Sequence, residues 1–166
     1  MKKLFALILA VALMATMSVT AFATDVTTDG GTGSTDVYFG VDPTYTVTIP
    51  AKVELQKIDT DGAITYENDY TITAEAGVRL LKNQYIEVTI ASDYVMQTPQ
   101  GATLAYTITA ENAAVANNGV VAEFATDKAE QTATIHIAAN DPDFAGNYSD
   151  TVTFTVAVKV AANNPI

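Results

Sequence analysis

The stretch Thr151–Val160, TVTFTVAVKV, alternates apolar and polar residues except at Ala157. Val152, Phe154, Val156, Val158 and Val160 fall on one side, with Thr151, Thr153, Thr155, Ala157 and Lys159 on the other. A period of two suits a strand that buries one face, because successive side chains of a pleated strand point in opposite directions. The first face is expected to point inward.

The same period recurs upstream. In YTVTIP, Tyr45, Val47 and Ile49 share a face, and Pro50 ends or edges the strand. Val53 and Leu55 continue the alternation into a second strand, and Asp61-Gly62 before AITYE signals a hairpin. Further inward sets are Tyr70 and Ile72; Ile86, Val88 and Ile90; Leu104, Tyr106 and Ile108; and Ala133, Ile135 and Ile137. VVAEF follows an Asn117-Asn118-Gly119 turn. No segment beyond the N-terminal region sustains a 3.6-residue period for three turns, and EAGVRLLKN is the one candidate helical turn. These spacings predict an all-β fold, an antiparallel β-sandwich of immunoglobulin-like or Greek-key type with roughly eight or nine strands. Each strand would hide its Val/Ile face between two sheets and wet its threonine face.

The chain begins differently. Lys2 and Lys3 precede an uninterrupted apolar run from Leu4 to Met14, and Ala21-Phe22-Ala23 fits the small-x-small pattern of a signal peptidase site. The run is shorter than the ~20 residues needed to span a bilayer core. Residues 1–23 are therefore read as a cleavable signal peptide, cut after Ala23, and the product as secreted, extracellular or held non-covalently at the cell surface. Residues 24–36, TDVTTDGGTGSTD, have too little apolar surface to order themselves and read as a flexible leader. The sandwich is assigned to residues 37–161 and a tail to 162–166. The ending KVAANNPI has no LPxTG-like sorting motif. The leader, or VYFGV following it, is a candidate for pairing with a neighbouring molecule's sheet edge.

Nineteen acidic residues against 8 basic ones give a net charge of −11. Such a surface repels phosphate backbones and anionic lipid, which disfavours nucleic-acid and electrostatic membrane binding. With no cysteine, disulfides and thiolate metal sites are impossible, so packing must stabilise the fold.

Candidate chemistry is sparse. His136, the one histidine, shares the wet face with Thr132 and Thr134. A triad would need Ser34, Ser92 or Ser149 to reach it, and none lies in a G-x-S-x-G elbow. Two acidic turns have oxygen ligands of the kind calcium takes, Asp59, Asp61 and Glu67 in one and Asp141, Asp143 and Asp150 in the other, although Asp is also an ordinary turn former. Lys57 and Asn68 stand where an EF-hand loop needs its first and last ligands. Lys52 and Lys159 are candidate isopeptide lysines but fit outward strand positions better, and Asn147-Tyr148-Ser149 is read as turn chemistry. Tyr38, Tyr66, Tyr85 and Tyr94 are candidate sugar platforms. No catalytic set, cofactor or metal site is assigned.

The segment Asp141–Val158, DPDFAGNYSDTVTFTVAV, resembles the closing strand pair of small secreted Gram-positive surface proteins, the WxL-like group, and of the spore coat protein U and pilin-like group. Gly146, Tyr148, Asp150, Val152, Phe154 and Val156 match their Gly-x-Tyr-x-Asp/Gly-x-Val/Ile-x-Phe/Trp-x-Val pattern. The tryptophans that name the WxL group are absent. The pattern is expected to place Gly146 where a turn needs its free φ, with the Tyr148 hydroxyl reaching backbone. The resemblance implies a surface or extracellular structural role, with fibre assembly. The expectation is a non-enzymatic structural or adhesive protein that self-associates through strand edges or meets another surface protein or wall component. The alternative is a carbohydrate- or protein-binding module built on tyrosine-bearing loops.

Overall fold

The computed structural model describes residues 7–10 and 37–161, so the cleavage site at Ala21 and Ala23, the leader and the tail lie outside the described residues. Among the described residues eleven strands follow one another: β1 Leu7–Ala10, β2 Thr46–Ile49, β3 Gln56–Thr60, β4 Ala63–Ala74, β5 Gln84–Ala91, β6 Val95–Gln97, β7 Thr103–Ala110, β8 Ala113–Ala114, β9 Val120–Ala125, β10 Gln131–Asn140 and β11 Thr153–Val160. All pair antiparallel, in two sheets. The first has the order β1-β2-β4-β10-β7-β6, with β3 beside β4 and β8 beside β7, and the second the order β11-β5-β9.

The protein is thus the antiparallel β-sandwich expected from its alternation. Ile72, Ile86, Val88, Ile90, Ile108 and Ile135 are all buried between the sheets. β4 lies over β11, where the Tyr70 and Phe154 rings meet edge to face at 6.2 Å, and β9 packs under β10 and β7. Such edge-to-face pairs add about 1 kcal/mol beyond burial.

Several expectations need correction. AITYE and YTITA form a single strand, β4, because the alternation runs through Asn68 and Asp69 without a turn residue. Val53 and Leu55 form no strand, although both pack against the core; the next strand starts at Gln56. EAGVRLLKN forms no helical turn: Arg79 bridges Thr44, Val78 bridges Asp127, and Val78 is buried. Two short strands, β6 and β8, are additional. The β7–β8 turn puts Glu111 and Asn112 at φ 50° and 63°, the left-handed pair of a type I′ hairpin, without the glycine that usually announces one.

The inward set of the opening stretch holds only in part. Phe154 and Val156 are half-buried, but Val158 is 37% exposed and Val160 68%. Among the described residues β11 pairs only with β5, so it is an edge of the second sheet, and its last two valines are not covered.

Candidate functional site

Among the described residues, the sheet edges are managed unequally. Edge strands expose unpaired N–H and C=O groups, which soluble proteins usually cover or blunt. The Gln131 side chain accepts from Ala125 N at 3.1 Å and donates to Ala125 O at 2.8 Å, occupying the end of β9. Ser149 bridges Gln97 of β6, with N···O distances of 2.9 and 3.2 Å. β1 lies along β2, pairing Leu7 with Ile49 and Ala10 with Thr46. β3 is short and carries Lys57 and Asp59. β11 has eight residues paired on one side only, to β5. Lys159, the one charge on it, lies 3.5 Å from Glu87 on the solvent face and leaves Val158 and Val160 uncovered.

A second exposed apolar feature lies ahead of β2. Val37–Val41, VYFGV, joins no strand, and Val37 and Phe39 are each 91% exposed. Thr44 donates to and accepts from Arg79 at 2.8 Å in both directions, which holds the chain extended into β2.

Two polar clusters complete the map. At one end of the sandwich the Tyr106 hydroxyl donates to Asp150 Oδ2 at 2.6 Å, and Ser92 Oγ lies 2.8 Å from both groups. Tyr94 N donates to Ser92 Oγ, and Thr151 N to Asp150 Oδ1 at 2.6 Å. Burial pushes the Asp150 carboxyl up, but the hydrogen bonds from Tyr106, Ser92 and Thr151 outweigh it and leave it below its ordinary value. Burial, then the carboxylate of Asp150, pushes the Tyr106 phenol up. Beside it the Tyr70 and Tyr94 hydroxyls are buried without a hydrogen-bond partner, and burial raises both. A cleft of about 460 Å³ borders this cluster, lined by Tyr94, Tyr106, Ile108, Val115 and Asn117 among others.

The second cluster sits on the wet face of the first sheet. The ladder sets His136 opposite Asp69, with Nδ1 2.8 Å from Oδ1, while Nε2 lies 3.3 Å from Glu67 Oε2. His136 is thus half-exposed among threonines, as its alternation indicated, but between two carboxylates.

The structure separates most of the residues singled out in the sequence. Ser92 bonds Tyr106 and Asp150, and His136 bonds Asp69, so no Ser-His pair forms between them. In the first acidic turn Asp59 Oδ1 accepts from Gly62 N at 3.0 Å, closing a hairpin with Asp61 and Gly62 at positive φ, while Glu67 turns to His136. In the second, Asp141 and Asp143 are exposed and Asp150 is held by Tyr106 and Ser92. No three His, Asp or Glu side chains among the described residues gather as metal ligands. Lys52 pairs with Glu54, and Lys159 with Glu87. Tyr94 offers no open platform, since its ring packs on Tyr106 at 5.7 Å with its hydroxyl buried.

Within the C-terminal motif the Tyr148 hydroxyl donates to Phe144 O at 2.8 Å, reaching backbone as expected. Gly146 is a correction. It is absent from the positive-φ glycines, which are Gly62, Gly77 and Gly101. Its requirement is space: a Cβ there would lie 2.7 Å from Thr98 Cγ2. Ser92 and Tyr106 as polar partners of Asp150 went unrecognised in the sequence, because their separations follow no local spacing.

No protein-family model matches the chain, and no curated protein does. Among solved structures, the P pilus rod subunit PapA is similar at 11% identity and TM-score 0.46, over 60% of this chain and 83% of that one. A chain of a chaperone-tip adhesin complex of CFA/I fimbriae biogenesis is similar at 14% identity and TM-score 0.38, over 69% of this chain and 40% of that one. No helix among the described residues is long and apolar enough to cross a membrane.

Proposed function

We propose that this protein is a non-enzymatic structural or adhesive component of the cell surface or its surroundings, and that copies of it associate through their strand edges. One observation carries the reading. Among the described residues β11 pairs through eight residues on one side only, and Val158 and Val160 near its end are exposed. A strand added there would complete the ladder and cover the valines, gaining roughly 25 cal/mol for each Å² of apolar surface removed from water. The export signal read at residues 1–23 supports the location.

Sizing of the exported protein across a concentration series, with electron microscopy of the same samples, tests this. Multimers or fibres that grow with concentration are expected. A strict monomer at the highest concentration, with no fibres, overturns the reading.

A further inference from the structure

A neutral imidazole has one nitrogen that donates a hydrogen bond and one that only accepts. At His136 both face carboxylates: Nδ1 lies 2.8 Å from Asp69 Oδ1, and Nε2 lies 3.3 Å from Glu67 Oε2. When the shorter contact is the hydrogen bond, Nδ1–H donates to Asp69. The Nε2 lone pair then faces a carboxylate oxygen with no hydrogen between them, and two electron-rich groups so placed call for a cation.

The sheet holds this arrangement in place. β10 pairs with β4 in unbroken register from Gln131 to Asn140, which sets His136 opposite Asp69 and Glu67 two residues along the same face. Glu67 Oε1 also accepts from Thr65 Oγ1 at 3.3 Å. Beneath the cluster Tyr70 and Ile135 are buried in the core. The His136 and Glu67 side chains are 38% and 33% exposed, so an ion can reach them from solvent. Among the described residues neither carboxylate has a lysine or arginine partner.

We propose that His136 Nε2 and Glu67 Oε2 bind a borderline divalent transition metal, zinc in the first instance, while Asp69 holds the imidazole from Nδ1. Ligand atoms that bind zinc at about 2.0–2.2 Å lie roughly 3.3–3.5 Å apart when the angle between them is near tetrahedral. The observed 3.3 Å meets that requirement without movement. An imidazole suits zinc, copper or nickel and not the hard cations calcium and magnesium. A carboxylate on the far nitrogen fixes the tautomer and orients the ring, which makes Asp69 a positioning residue. Among the described residues no set of three ligands forms, so water fills the remaining positions of the ion and the affinity is modest. The ion would staple two neighbouring strands of the first sheet in a chain that has no cysteine to do so. This face is separate from the β11 edge, and the inference goes beyond the assembly reading, so the two fail separately.

Zinc titration of the untagged full chain tests the proposal, by calorimetry and by nitrogen–proton correlation spectra of the imidazole. With one histidine in the chain, one ring reports the site. Urea unfolding without metal verifies that each variant folds. One zinc per chain is expected, coordinated through Nε2, with the urea midpoint of the parent raised by zinc. His136→Gln and Glu67→Gln should each weaken binding by about tenfold or more, and Asp69→Asn by roughly 10–100-fold with Nε2 still the coordinated nitrogen. Imidazole signals unmoved by a large excess of zinc overturn the site and leave a proton as the cation between Nε2 and Glu67. Binding that survives His136→Gln, or calcium that displaces zinc at equal concentration, also overturns it. Coordination through Nδ1 overturns the roles given to Glu67 and Asp69.

Discussion

Tyr106 donates its hydroxyl to Asp150 Oδ2 at 2.6 Å, tying the middle of β7 to the loop that leads into β11 across 44 positions of sequence. Ser92 closes the triangle from the end of β5. The loop into the open-edged strand is therefore anchored at one point by three polar side chains. Asp150→Ala would leave the hydroxyls of Tyr106 and Ser92 without their acceptor, and a loss of about 2 kcal/mol is expected in urea unfolding. Because the Asp150 carboxyl is held below its ordinary value when folded, the stability it adds is present above the unfolded value of about 4 and is lost as pH falls through the lower folded value. Midpoints measured from neutral to strongly acidic pH should fall less steeply in Asp150→Asn than in the parent.

Tyr70 presents the opposite case. Its hydroxyl is buried without a partner, so Tyr70→Phe removes a desolvated group and keeps the ring contact with Phe154. Stability should rise by about 1 kcal/mol. Tyr70, Tyr94 and Tyr106 all hold their protons more tightly folded than unfolded. Their contribution is complete below the free tyrosine value of about 10 and is lost as pH rises through the folded values. Alkaline unfolding followed by tyrosine absorbance should therefore be shallower in Tyr70→Phe.

Gly146→Ala is expected to destabilise by about 1–3 kcal/mol through overpacking, because the new methyl meets Thr98 Cγ2 at 2.7 Å. Thr98→Ser removes that methyl while keeping the hydroxyl that accepts from Ala102 N. In the double variant much of the loss should be recovered. Additive losses in thermal unfolding would show that Gly146 is needed for its backbone freedom instead.

Val158→Lys with Val160→Lys adds charge to the exposed end of β11, a common way of blunting an edge. Both sites are exposed, so the monomer's unfolding midpoint should change little, by about 0.5 kcal/mol or less per site. Multimers seen by sizing should be lost. Unchanged assembly would remove β11 from the interface.

Much of the fold was legible because its signal is local. Alternation at Ile86, Val88 and Ile90 reports a strand with one buried face whatever its neighbours are, and Asp61-Gly62 reports a hairpin through backbone conformation alone. The failures are equally physical. At Val158 and Val160 the alternation of the strand was read correctly and their burial was not, because burial depends on what packs over that face. At Gly146 the residue type was noticed and its reason misassigned, since the approach of Thr98 comes from 48 positions away.

The sequence by itself determined that this chain is an acidic, cysteine-free protein of two-residue period, bound to bury alternating Val and Ile faces between sheets. Period and composition are properties of neighbouring residues. Only the tertiary structure decided which strands became edges, that among the described residues the second sheet ends at β11, that Asp150 meets Tyr106 and Ser92, and that Leu7–Ala10 lies along β2. Those are pairings between distant segments, set by how the two sheets pack, and no local pattern encodes them.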